Sequence, residues 1–174
     1  MPARHEPSEC ALVKRRSALL LFLLFGAAPA VAQQQSLGIF GTWGAFRGEG
    51  RCYAITAPLR APAAQAWRPF ASVGYWPQRR VGGQLHIRLS REKRPGSAVL
   101  LRIDGRSFQL NGTGRDAWAP DARADDEILA ALRTGIEMSI ETRSVQGLLV
   151  RDQYQLRGAA TAIDAAAVAC LRRG

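Results

Sequence analysis

Arg151–Cys170 reads RDQYQLRGAATAIDAAAVAC. Its first part alternates as a half-buried strand does, with Asp152 and Tyr154 continuing the face of Leu148 and Val150 over Leu148–Leu156. Gly158 interrupts the pattern. The alanine-rich run that follows reads as a helix to about Leu171, with Ile163, Ala167 and Cys170 on one side. Thr161-Ala162-Ile163-Asp164 has capping-box spacing, with Asp where Glu or Gln is usual. The helix ends on a cysteine, and another cysteine lies far upstream in Arg51-Cys52-Tyr53-Ala54-Ile55. If the two pair, the last helix is tied to the first strands and the domain closes end to end.

Upstream of this stretch the period is two almost everywhere. Gln33–Gly38 is a polar lead-in. Ile39–Phe46 is aromatic and glycine-spaced, and reads as a short strand or edge. Cys52–Thr56 is a second strand, stopped by Pro58. Leu59–Pro69 is a proline-rich surface loop. In Phe70–Trp76, Phe70, Ser72 and Gly74 fall on one side and Ala71, Val73 and Tyr75 on the other. Pro77–Gly83 is a turn. In Gln84–Ser90, Leu85, Ile87 and Leu89 point in while His86 and Arg88 point out. Arg91–Gly96 is a charged hairpin loop, Val99, Leu101 and Ile103 form the next inward row, and Asp104-Gly105 is a hairpin turn. Phe108 and Leu110 face in from the strand after it, and Ala117-Trp118 is a further apolar point.

Asp125-Asp126 is expected to cap a short helix whose apolar stripe is Ile128, Leu129 and Leu132. Gly135 ends it. Ile136, Met138 and Ile140 then alternate inward along a strand. About eight short strands with hairpin turns predict a mostly β fold: an antiparallel β-sandwich or open barrel with one short inserted helix and a C-terminal helix.

The N-terminus has its own logic. Arg4, Lys14, Arg15 and Arg16 precede an uncharged run from Ala18 to Ala32, which ends Ala30-Val31-Ala32. This is the pattern of a secretory signal peptide over residues 1–32, with cleavage expected before Gln33. A membrane anchor is the competing reading, but the run falls short of the roughly 20 apolar residues a span wants. Residues 33–174 then form a single domain without a transmembrane span, placed in the periplasm or against the outer membrane.

The whole chain has 24 basic and 14 acidic residues; 4 and 2 of these lie in residues 1–32, leaving 20 and 12, net +8. Nearly all the basic residues after residue 32 are arginines, Lys93 being the only lysine there. Such a charge favours anionic envelope partners: lipopolysaccharide, phospholipid or an acidic glycan. Arginine-rich coding bias and solubility are the plain alternative. Export argues against nucleic acid as the partner. It also places Cys52 and Cys170 in an oxidising compartment as the two cysteines left after Cys10 is removed, so they are expected to form a disulfide.

In order and spacing, several pieces resemble the invasion-associated locus B family of exported proteobacterial proteins. They are Phe40-Gly41-Thr42-Trp43, Arg51–Ile55, Val73-Gly74-Tyr75, Leu101–Gly105 leading to Phe108-Gln109-Leu110, Ala117-Trp118, Ile128–Gly135 and Asp152–Gly158. The resemblance implies an envelope-associated β-rich interaction domain, tied in pathogens to host-cell invasion, and carries no established catalytic mechanism. Many members have another cysteine soon after the tryptophan; Gly44-Ala45-Phe46 stands there in this chain. That leaves room for one disulfide rather than two.

Chemistry has few footholds. His86 is the only histidine after residue 32, so a Ser-His-Asp site would have to use it, and no nucleophile motif surrounds any serine. One histidine and no free cysteine make a poor metal site. No metal, cofactor or catalysis is expected. Asp125-Asp126-Glu127 fits a helix N-terminus, and Asp152 is expected to pair with an arginine, a buried acid being the other possibility. The candidate binding region is Tyr75 and Trp76 beside Arg79 and Arg80, an aromatic platform with cations for a sugar or an anion. Arg88, Arg91, Lys93 and Arg94 are expected to extend the same basic face. A binding or interaction module is therefore expected, with a hydrolase acting on envelope glycans through two carboxylates as the alternative.

Overall fold

A computed structural model describes residues 34–60 and 66–171. The proposed signal peptide lies outside the described residues, as does the middle of the proline-rich loop.

Ten strands form one antiparallel sheet, curled into a half-barrel. They are β1 (Gln35–Phe40), β2 (Trp43–Gly48), β3 (Arg51–Thr56), β4 (Phe70–Trp76), β5 (Val81–Arg88), β6 (Val99–Ile103), β7 (Arg106–Thr113), β8 (Asp116–Trp118), β9 (Glu137–Arg143) and β10 (Leu149–Gln155). Helix α1 spans Ala122–Thr134 and α2 spans Ala159–Leu171. The strand order is β1-β2-β3-β4-β5-β8-β7-β6-β9-β10. The open-barrel alternative is thus the correct one.

The alternation read from the sequence decides the inner face. Ala71 and Val73 of β4, Leu85 and Ile87 of β5, Val99 and Leu101 of β6, and Met138 and Ile140 of β9 are all buried. Carbonyls of β10 and of the residues just after it bond across to the β1–β2 turn, the start of β2 and the segment after β3. Gln155 O accepts from Trp43 Nε1 at 3.0 Å, Gln153 O accepts from Leu59 N at 2.7 Å, and Arg157 O from Thr42 N at 3.1 Å.

Both helices pack on the inner face. α1 inserts Ile128, Leu129 and Leu132. α2 lies over β2 and β3, where the inward residues are Ala45 and Ala54, and meets them with Ala162 and Ala166. Small residues on both surfaces let the helix approach the sheet closely, so alanine content here is a packing choice. Its entry is sterically tight. Gly158 has φ 92°, and a Cβ there would stand 1.8 Å from Phe40 O, so no side chain fits. Cys52 on β3 and Cys170 on the last turn of α2 form a disulfide with Cα atoms 5.8 Å apart. Arg47, beside Cys52 on β2, donates from Nη2 to Ala169 O at 2.6 Å and so caps the same helix end.

Several local expectations are corrected. The Ile39–Phe46 strand is a hairpin: Gly41, at φ 60°, turns the chain between β1 and β2. The polar lead-in supplies most of β1, which hydrogen bonds to β2 rather than needing an apolar face. Asp116–Trp118 is a strand of its own between β5 and β7. The cap of α1 is Asp121, whose Oδ1 accepts from Ala124 N at 2.8 Å, not Asp125 or Asp126. α2 begins at Ala159, directly after Gly158, so Thr161 sits in its first turn instead of capping it. Ile136 and Leu148 precede their strands and are 80% and 60% exposed.

Candidate functional site

The candidate residues fall into separate groups. Tyr75 and Trp76 are neighbours on a strand and so point to opposite faces. Tyr75 is buried in the core beneath the helices, and cannot serve as a platform. Trp76 lies on the outer face, where its ring covers Gly74. Arg79 ends a single 3-10 turn, Pro77–Arg79, and Arg80 caps it just before β5, left-handed at φ 54°.

Arg88, Arg91, Lys93 and Arg94 are at or beyond the other end of β5. Seven residue steps separate Val81 from Arg88, roughly 23 Å at strand rise. The expected single basic face is therefore two groups at opposite ends of the β4–β5 hairpin. Arg88 is engaged locally: its Nε is 2.9 Å from Asp116 Oδ1 and its guanidinium lies over Phe70. Lys93 is 6% exposed and donates from Nζ to Arg94 O at 3.1 Å, so its charge is spent inside the loop.

His86 is half-buried in an outer-face row. Its ring stacks on Trp118 at 5.2 Å, meets Phe70 edge-on, and has Nε2 2.8 Å from Asp116 Oδ1. Ser72 stands opposite it on β4. The Ser72 hydroxyl contacts the His86 main-chain carbonyl at 3.4 Å, so its bond is to the backbone and not to the ring. That arrangement orients an imidazole; it does not activate a serine.

A cleft of about 470 Å³ opens on the outer face of β6, β9 and β10, with Asp104, Glu137 and Glu141 among its lining residues. Glu141 lies between Arg151 at 3.0 Å and Arg102 at 3.7 Å. Asp104 accepts from the main-chain N–H groups of Ile136 and Glu137. Glu137 and Glu141 are four positions apart on an extended strand, which sets their backbones roughly 13 Å apart.

The two buried acids have structural partners. Asp152 is 2% exposed and its Oδ2 accepts from Ser90 N at 2.8 Å. Burial pushes its carboxyl above the usual range, while the bonds from Ser90 and the more distant charge of Arg91 pull it back. The expected arginine partner is not within ion-pair distance among the described residues; Ser90 takes that role. Asp125 is likewise pushed up by burial, opposed by the Leu85 N–H that it accepts at 2.7 Å. Desolvation beside Asp152 raises the Tyr154 phenol well above its ordinary range.

One group of exposed cations lies at the end of the half-barrel where the Arg91–Arg94 loop meets the β9–β10 hairpin. Val145 N donates to Glu92 O at 3.1 Å and Arg94 N to Arg143 O at 2.8 Å, pinning loop to hairpin. This brings Arg143, which sequence reading did not select, beside Arg94, in the loop that also carries Arg91. All three are exposed, and no carboxylate of the described residues lies within ion-pair distance of them. Glu92, the loop's own acid, faces Arg115 at 3.6 Å. Comparison of the chain with family models, with characterised proteins and with solved structures finds no match in any of the three.

Proposed function

We propose that this protein is an exported, non-catalytic binding module of the cell envelope, periplasmic or outer-membrane-associated, that attaches to an anionic surface. The observation that carries this is the convergence of Arg91, Arg94 and Arg143 at one end of the half-barrel, exposed and without carboxylate partners among the described residues. Guanidinium groups left unpaired at a surface are suited to phosphate or carboxylate groups, which they bind in a bidentate fashion. The export pattern of residues 1–32, the net +8 of the remainder and the resemblance to the invasion-associated locus B family all fit an envelope role.

The test is co-sedimentation of the processed protein with vesicles containing anionic lipid, and with lipopolysaccharide. Binding should fall as salt rises, since the Debye length shrinks from about 10 Å at 0.1 M to about 3 Å at 1 M. Changing Arg91, Arg94 and Arg143 to Gln should abolish most of it. Changing Arg79 and Arg80 to Gln should leave it intact, because they stand at the far end of β5. Absence of binding at low salt, or full retention by the triple variant, overturns the proposal.

A further inference from the structure

The same end carries an apolar feature. Val145, Leu148 and Leu149 are 43%, 60% and 60% exposed. They account for three of the eight large hydrophobic residues exposed among the described residues, and they fall within five consecutive positions. A scatter of single exposed apolar residues is ordinary; a cluster at one hairpin tip is not.

The tip is held in shape. Gly147 N donates to Ser144 O at 2.8 Å and Ser144 N to Leu148 O at 2.9 Å. Behind the turn, Ser144 and Lys93 are buried and paired across an isolated bridge. With this support, the three side chains cannot fold back onto the core without breaking the turn. Two cations flank them. Arg143 Nη1 donates to Gly147 O at 3.2 Å, and Arg94 Nη2 lies where a Cβ on Gly147 would come within 2.6 Å.

From this juxtaposition we infer that the β9–β10 tip docks into the interface of an anionic phospholipid bilayer. Val145, Leu148 and Leu149 enter below the headgroups, and Arg91, Arg94 and Arg143 hold lipid phosphates around them. This rests on the attachment proposed above and adds the lipid and the mode. A soluble polyanion would engage the arginines and leave the three apolar side chains in water. A second copy of the chain, docked tip to tip, would bring its arginines against these arginines. A bilayer interface, apolar inside and anionic at its rim, satisfies both groups, and charge and apolar burial act together in such interfacial binding.

The test uses the processed protein with its disulfide intact, its mass checked, because a retained 18–32 run would itself partition into vesicles. The variant Val145→Ser/Leu148→Ser/Leu149→Ser keeps every arginine. Its fold is verified by circular dichroism and its urea midpoint. Partition into phosphatidylcholine vesicles containing phosphatidylglycerol should drop at least about tenfold relative to the unaltered protein. Binding to dextran sulfate should be unchanged. Equal vesicle partition by the variant overturns bilayer entry while leaving charge attachment standing. Binding of the unaltered protein to dextran sulfate but not to vesicles overturns the bilayer in favour of a soluble polyanion. A concentration-dependent dimer that the serine variant abolishes assigns the tip to a second copy, and likewise overturns it. Failure to bind either probe removes the attachment and this inference together.

Discussion

Replacing Cys170 with serine removes the disulfide cross-link between the end of α2 and β3. The bond joins residues 118 positions apart. Loop-closure entropy for that separation gives about 5 kcal/mol at 25 °C, against a net stability of about 5–15 kcal/mol for a typical domain. The packing that remains is modest. Buried residues of α2 are mainly alanines, with Ile163 the largest apolar side chain, and alanine contributes little burial energy. Arg47 still bonds Ala169 O, but its Nε is buried without a partner among the described residues, so that contact is only partly satisfied. A drop in melting temperature of about 10–20 °C is expected, with cleavage by added protease appearing first near Gly158, where α2 joins β10. Calorimetry of the unaltered protein with and without reductant should reproduce the same difference. Thiol titration of the unfolded, unreduced processed protein should find no free thiol. Two free thiols per chain, or a melting temperature indifferent to reductant, would refute the reasoning.

Two further outcomes follow from buried groups. The Asp152 carboxyl has its folded-state value raised, chiefly by burial. Between the unfolded and folded values the native state binds the extra proton, so this group's contribution to stability increases as pH falls through the folded value and decreases as pH rises through it. Asp152→Asn should therefore lose ground to the unaltered protein as pH is lowered from neutrality; urea midpoints that run parallel from pH 7 to 4 would contradict this. Gly158→Ala should cost more than about 1 kcal/mol, because φ 92° is strained for alanine and its Cβ would meet Phe40 O; an unchanged urea midpoint would count against the tight entry of α2.

Most of the inner face was legible because a period of two needs only neighbouring residues to reveal it. Leu85, Ile87 and Leu89, and Val99, Leu101 and Ile103, all face the core as their alternation predicts. Strand ends were less legible. Leu148 continues the Val150–Asp152–Tyr154 face on paper, yet it belongs to the turn, because Ser144 N bonds Leu148 O and the ladder starts one residue later. The adjacent pair Leu148-Leu149 after Gln146-Gly147 was the available signal: two apolar residues in a row break an alternating strand, so one of them must point outward. Asp121 was overlooked as a cap because the three acids after it offered a more conspicuous negative start.

By itself the sequence determined the class of fold, the inner and outer faces of most strands, the two cysteines that pair, and a cationic surface rich in arginine. These depend on local period, composition and count. Only tertiary structure decided which arginines share a surface. Arg79 and Arg91 are close in sequence but separated by the length of β5, while Arg94 and Arg143 are far apart in sequence and joined by a main-chain hydrogen bond of 2.8 Å. It also decided that Tyr75 is core, that Asp152 meets Ser90 rather than an arginine, and that Val145, Leu148 and Leu149 remain uncovered. Each of these is set by long-range strand pairing, and no window of sequence contains both partners.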